Sequence, residues 1–450
     1  MRHIVTPLVL LASTLLSVSC GDGIDERYGV GEEPSSTAAA TTTSTTVATP
    51  YGRFTLDSPP MTIENSDAVY SGAHSVVQLA DGGYLLSGFD NHSSVQQPER
   101  GAIWHSDDLE TWERVGTEIS DADNQQTIIT MVTTDEGVIA FGTDYSRNSD
   151  GTLADGFDAT AWFSDDNGAT FESTVIERDA RLTGADRLGD DLFAWGIRTL
   201  DDAFVAALWR SSDDGASWEL LATDAPPTPG TAAVPISTIG TLLRWEDSLI
   251  AIGSTVASDP YGSPGTEAFD VYGLHEASEA VDIGIWYSDD EGISWQPATP
   301  SGLSGLPDAQ WVLDAEVVGD QLVLLATTAA APAAAETSAA QFQTSAFTCD
   351  FALQRCVRTV VLDGTYDFIA ATMVLADGVL IGTTQAGTGT TYNSQLFVFD
   401  PATGQVSVTN PGDSISQIET LLVQGDTLFL FGRNERTNLV QVAHAPYPPR

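Results

Sequence analysis

The chain has 450 residues, 42% of them hydrophobic, with 40 Gly and 21 Pro, a balance that suits a loop-rich globular protein better than a helical one. It carries 63 Asp and Glu against 17 basic residues, all of them Arg, for a net charge of −46. So acidic a surface repels phosphate backbones, which argues against nucleic-acid binding; it suits a saline setting, cationic ligands or divalent ions.

The first element is an address. Arg2 and His3 precede an apolar run over 4–18, followed by Ser19 and Cys20. The run is short for a membrane span and a small residue stands just before the cysteine, which is the layout of a signal peptide over 1–19. Cys20 resembles the lipobox cysteine of bacterial lipoproteins, with Ser17 where that family usually has Leu. The resemblance implies that Cys20 is diacylated and becomes the mature N-terminus, anchored to the cell membrane on its extracytoplasmic face. Ordinary secretory cleavage nearby is the alternative. Residues 20–50 are polar and Gly-rich, then low-complexity Ser/Thr/Ala, so they cannot bury a core and read as a flexible tether.

From residue 51 onward one pattern repeats. A short apolar strand, a turn rich in Asp and Gly, and a second apolar strand recur over 76–88, 128–142, 182–196, 241–253, 312–326, 370–382 and 420–432. Six of these hairpins end in Gly and the fifth ends in Ala326. A third and a fourth strand fit between successive hairpins. After the seventh only 438–445 remains, and 52–56 or 61–65 is the donor for the strand it lacks. The expected fold is therefore all-β: a single propeller over 51–450, with seven four-stranded blades, closed by an N-terminal strand in the last blade.

Four connections between third and fourth strands share the pattern S-x-D-x-G-x-[ST]-[WF]. Ser211, Asp213, Gly215 and Trp218 fill it, as do Ser288, Asp290, Gly292 and Trp295. Ser164, Asp166, Gly168 and Phe171 fit with Phe for Trp, and Ser106, Asp108 and Trp112 form a copy one residue shorter, with Glu110 where Gly is expected. Gly supplies the backbone of a tight turn, Asp and Ser bond its amides, and the ring pins the hairpin to its sheet. These carboxylates are expected to be turn acids, so that Asp290→Ala costs stability. The pattern resembles the Asp-box, or BNR repeat, of sialidase-like β-propellers. Cys349 and Cys356, with six residues between them in an exported chain, are expected to form a disulfide.

The boxes and the hairpin turns share one end of the ring. Loops that join second to third strands, or one blade to the next, share the other end and hold most of the irregular sequence, where binding residues concentrate. The candidates there are Tyr145, Arg147 and Asp158 from 143–158, with Tyr261, Asp270 and Tyr272 from 254–282. Aromatics among carboxylates suit a sugar, a cationic ligand or Ca²⁺; solvated insertions without a ligand are the alternative. The Ala-rich stretch 327–345 reads as a short helix or a mobile loop.

The sialidase resemblance implies an arginine triad, a Tyr–Glu nucleophile pair and an Asp acid/base. Arg53, in YGRFTL, is nearest to that family's N-terminal Arg-Ile-Pro element but lacks the Ile-Pro, and no catalytic residue carries over. There is no G-x-S-x-G elbow, H-E-x-x-H pair, P-loop or EF-hand loop. No metal site and no cofactor are expected; Ca²⁺ would suit the acidic loops, without a motif to support it. The expected role is a lipid-anchored binding or scaffolding module for carbohydrate or an envelope protein, with a sialidase-like or other glycoside hydrolase as the alternative. Contact with the membrane is expected through the lipid alone, and the chain is expected to be a monomer that binds no nucleic acid.

Overall fold

The computed structural model describes residues 54–57, 60–63, 68, 70–91, 100–116, 119, 125–145, 157–200, 203–222, 236–256, 281–303, 309–330, 341–350, 352–363, 368–388, 391–410, 415–433 and 438–448. These residues form seven antiparallel four-stranded sheets. The innermost strands of blades 1 to 7 are Tyr70–Gln78, Gln125–Thr133, Ala180–Leu188, Ile236–Trp245, Ala309–Val318, Phe368–Ala376 and Gln417–Gln424. Each packs against the innermost strands of its two neighbours, and that of blade 7 packs against that of blade 1, so the sheets close into a seven-bladed β-propeller. The ring is closed by Met61–Thr62, which pairs with Val440–Pro446 as the fourth strand of blade 7. The other candidate donor lies alongside: Phe54 is buried between blades 6 and 7, and the Asp57 amide donates to the His444 carbonyl at 3.0 Å.

Seven buried clusters divide the core, one at each seam between blades. Strand alternation explains this. One face of each sheet looks at the preceding blade and the other at the following blade, so the second and third strands are apolar on both faces, whereas fourth strands such as Glu172–Arg178 meet water. The long continuous apolar runs of the second strands, such as Leu322 to Ala326, follow from burial on both sides.

A β-bulge recurs in the innermost strand. In six blades the register with the second strand slips at the same place, leaving His74, Ile129, Thr183, Gly240, Leu313 and Glu419 unpaired. Opposite the residue before each slip stands the residue that ends the hairpin motif: Gly88, Gly142, Gly196, Gly253, Ala326 or Gly432. At Gly142 an added Cβ would collide with the Thr127 carbonyl oxygen, and at Gly432 with that of Gln417. The bulge bends the inner strand over its partner, and Gly is what lets the backbones approach. Blade 6 has no slip, and there an added Cβ at Gly382 would meet the Phe397 ring instead.

Gly142→Ala is expected to destabilise the fold by roughly 1–3 kcal/mol, because backbone rather than a flexible side chain must give way. Ala326→Gly, at the one blade that already accommodates a methyl group, is expected to cost less. Thermal denaturation of the two variants checks this, and an unchanged Tm for Gly142→Ala would contradict the packing account.

Candidate functional site

The inner strands of all seven blades line one cavity of about 520 Å³ along the ring axis. The bulges determine what it contains. Residues at or beside the slip project at the seam, and in blades 1, 3, 5 and 7 they are polar and latch onto the next blade. His74 Nδ1 donates to the Ile128 carbonyl of blade 2. Thr183 Oγ1 donates to the Ile239 carbonyl of blade 4 at 3.0 Å. Asp314 Oδ2 accepts from the Met373 amide of blade 6 at 2.8 Å and from Thr372 Oγ1 at 3.3 Å. Glu419 Oε2 accepts from the Ala73 amide of blade 1 at 2.7 Å, closing the ring from blade 7.

Those latches, with Asp186 and Glu316, leave four carboxyl groups in the channel wall. Glu419 is the neutralised one: Arg433 Nε lies 2.7 Å from its Oε1, and the same guanidinium reaches the Tyr70 hydroxyl. Burial raises the Glu419 carboxyl, and Arg433 opposes that rise. Asp314 takes its bonds from Met373, Thr372 and the Ala315 amide, yet burial outweighs them and lifts it to about 6. Glu316 stands two residues further along the same strand, faces the same way, and has no hydrogen-bond partner among the described residues. Burial first, then the charges of Asp314 and Asp186, push it up to about 8. Asp186 is reached by water within the channel but has protein around it, so desolvation still raises its carboxyl. His74 is driven by burial down to about 4 and is neutral at ordinary pH. At pH 7 Glu316 therefore lies on the protonated side of its titration and its neighbour Asp314 on the ionised side.

The turn acids have a different chemistry. Oδ1 of Asp166, Asp213 and Asp290 accepts the amide four residues on, each at 2.8 Å, and Oδ1 of Asp108 accepts that of Thr111 at 2.7 Å. The serine hydroxyls of Ser106, Ser164, Ser211 and Ser288 bond the same aspartates and accept the amides of Leu109, Gly168, Gly215 and Gly292, each at 2.8 Å. In the short first copy Leu109, at φ 64°, rather than Glu110, takes the place of the glycine. Bonds from Thr111, Thr170, Ser217 and Ser294 hold the four carboxyls below the usual range. Trp112, Trp218 and Trp295 each donate their indole N–H to a turn carbonyl, at 3.2, 3.2 and 3.0 Å. Phe171 is buried at the seam of blades 1 and 2. Blades 5 and 6 end their third strands in an aspartate that bonds the turn without the rest of the motif: Asp350 accepts the Gln354 amide at 2.8 Å and Asp400 the Ala402 amide at 2.9 Å. The Cys349–Cys356 disulfide spans the blade 5 turn.

Among the loop candidates, Tyr145 ends the second strand of blade 2, and Arg181 lies 5.3 Å from its ring centroid and 5.3 Å from that of Phe157. Asp158 begins the third strand of that blade, where its carbonyl accepts the Thr160 hydroxyl at 3.1 Å. Arg147, Tyr261, Asp270 and Tyr272 lie outside the described residues, as do Cys20, the leader and the tether. The ends of the Ala-rich stretch are strand, within Gln321–Ala330 and Gln341–Asp350. Among the described residues no three His, Cys, Asp or Glu side chains are grouped to hold a metal ion. Asp186, Asp314, Glu316 and Glu419 were not among the sequence-derived candidates. Their signal was present all the same, as acids inside strands whose neighbours are apolar, in LTGADRL, VLDAEVV and SQIETLL.

No family model matches the chain, and no curated protein matches it. The fold is similar to that of the GH93 α-L-arabinofuranosidase of Fusarium graminearum, at 13% identity and a TM-score of 0.40, covering 88% of this chain and 98% of that one. It is similar to the α-L-arabinanase of Penicillium chrysogenum, at 16% identity and 0.42, covering 86% and 98%. It is similar to the Trypanosoma rangeli sialidase, at 13% identity and 0.44, covering 78% of this chain and 60% of that one. These likenesses concern the fold alone.

Stability should show two opposed limbs with pH. The turn aspartates have depressed folded pKa values, so their stabilisation is present above about pH 4 and is lost as pH falls further. Glu316 and Asp314 have raised values, so stability is full below their ordinary values of 4.5 and 3.8 and is lost as pH climbs toward about 8 and about 6. Tm should peak near pH ~4–5, and Glu316→Gln should flatten the decline toward pH ~8. Parallel wild-type and variant profiles across that range would refute the assignment to Glu316.

Proposed function

We propose that the axial channel is the ligand site of a carbohydrate-binding propeller, and that the chain presents it outside the cell on the 20–50 tether from a lipidated Cys20. The observation that carries the reading is an axial cavity of about 520 Å³ whose wall places Glu316, its carboxyl pushed up to about 8, beside Asp314, lifted only to about 6. Neutral Glu316 donates, and Asp314, with three of its roughly four lone-pair sites already taken by Ala315, Thr372 and Met373, has about one left to accept, so together they offer a donor and an acceptor to a sugar's hydroxyl groups. The site needs no cofactor for this role, and the chain's acidity opposes nucleic acid as an alternative partner.

Glycoside hydrolysis is a second reading, and the same two residues favour it. Two places apart on one strand put their Cα atoms about 6.6–6.8 Å apart, on one face. A protonated acid and an ionised base on one face are the kind of pair an inverting glycoside hydrolase employs, when their carboxyl groups leave room for a water between base and sugar. The opposing observation is that Asp314 commits its oxygens to blade 6, and Glu419 to Arg433 and blade 1, so that of these three only Glu316 is uncommitted. A non-catalytic module uses the same cavity without turnover.

Binding of the purified protein to a broad glycan array, followed by product analysis on the glycans retained, tests both readings. Saturable binding that Glu316→Gln weakens by roughly tenfold or more supports the channel site. Release of reducing ends, lost in Glu316→Gln, supports hydrolysis. Glycan binding unaffected by Glu316→Gln would move the site away from the channel, and no glycan binding at all would overturn the carbohydrate reading.

A further inference from the structure

The rings of the third-to-fourth turns do more than pin their own hairpins, because each also fills the seam toward the preceding blade. Trp112 of blade 1 meets Phe431 of blade 7 edge-on, with centroids 5.6 Å apart, and Trp218 of blade 3 meets Phe141 of blade 2 in the same way at 5.7 Å. Phe171 packs among blade 1 residues and Trp295 among blade 3 residues. Tyr447, just past the third strand of blade 7, occupies the same place against blade 6 and donates its hydroxyl to the Ala376 carbonyl at 3.2 Å. At the seam of blades 5 and 6, Phe399 and Val406 supply the filling.

The seam of blades 4 and 5 is the exception. Blade 5 closes its turn with the Cys349–Cys356 disulfide and, among the described residues, offers Leu353 where others offer a ring. A second cavity of about 520 Å³ remains there, walled by Trp245, Tyr287, Pro297 and Ala298 of blade 4 and by Ala352 and Leu353 of blade 5. Its blade 5 wall is held in place: the Ser301 amide donates to the Gln354 carbonyl and the Cys356 amide to the Ser301 carbonyl, each at 2.8 Å.

The rim of this cavity is acidic. Glu246, Asp247 and Asp289 border it, and among the described residues no basic one does. Asp289 accepts the Ser248 hydroxyl at 2.5 Å, while Glu246 and Asp247 are exposed and make no hydrogen bond among the described residues. The nearest arginine in sequence, Arg244, is committed to Glu291 at 2.7 and 3.1 Å and to the Leu188 carbonyl. Asp247 lies within the field of the Arg244 guanidinium, but three carboxylates border the cavity and the rim stays net acidic; aromatic walls beneath it favour a ligand with an apolar body and a positive charge, which gains cation–π and ionic attraction at once. A neutral apolar ligand would leave the carboxylates unused, and an anion would be repelled.

We propose that the seam between blades 4 and 5 is a binding site for a small organic ammonium ligand, with Trp245 and Tyr287 taking its body and Glu246, Asp247 and Asp289 its charge. An alkyl amine and an amino sugar share this chemistry. The site is separate from the axial channel and does not depend on what the channel binds.

Calorimetric titration of the purified protein with cadaverine and with glucosamine tests the proposal, with glucose as the neutral control. Saturable binding of either amine, and none of glucose, is expected in the Glu316→Gln background, where the channel site is weakened; which amine binds identifies the source of the charge. The double variant Glu246→Gln/Asp247→Asn should weaken binding by roughly tenfold. Ala352→Trp restores a ring to this seam and should abolish binding while holding or raising Tm, so that loss of binding cannot be ascribed to unfolding. Glu316→Gln should leave it unchanged. Absence of saturable amine binding, binding that survives Ala352→Trp in a folded protein, or binding that Glu316→Gln removes would each overturn the proposal.

Discussion

One unpaired residue in the inner strand, repeated in six of the seven blades, governs this molecule. The bulge bends the strand over a glycine of its partner and turns a side chain toward the next blade. Where that side chain or its neighbour is polar, as with His74, Thr183, Asp314 and Glu419, it bonds the backbone of the next inner strand and helps hold the ring. The acids of the channel are thus products of the closure geometry. A propeller packs only neighbour to neighbour, so whatever faces the axis is freed from core packing and can be polar, at the desolvation cost that the raised Asp314 and Glu316 carboxyls register.

The two ends of each blade then divide the labour. On one end, short turns are built from aspartate, serine and a ring, and they seal the seams. Their carboxylates are saturated with amide and hydroxyl bonds and have little capacity left for a ligand. In the channel the opposite holds for Glu316, which is kept neutral by burial and by its neighbours' charge. The turn motif lapses at blades 5 and 6; Phe399 and Val406 still seal the seam of blades 5 and 6, whereas a pocket opens at the seam of blades 4 and 5.

Much of the architecture was legible in the sequence because it rests on local signals. Alternation, turn residues and a terminal glycine mark each hairpin, and these depend on residues close together in the chain. The purpose of that glycine was not legible, because it is set by a carbonyl on the facing strand, as at Gly142 and Thr127. Spacing puts Glu110 in the glycine position of the shortened first turn; the chain instead puts Leu109 in the left-handed region, which spacing alone does not reveal. The channel acids were visible as residues but not as a group: Asp314 and Glu316 share one strand, but Asp186 meets them only through ring closure. Loop composition points instead to Tyr145 and Asp158, which occupy strand ends on blade 2, and to four positions outside the described residues. It reports where a chain is free to vary, whereas this cavity is built from its most constrained strands.

The most direct test of the account is a crystal structure of the protein bound to the tightest-binding glycan from the array. Sugar density along the axis, with hydroxyl groups within hydrogen-bond distance of Glu316 and Asp314, is the predicted result. Sugar held by the loops over 143–158 or 254–282, with the channel filled by water alone, would contradict it.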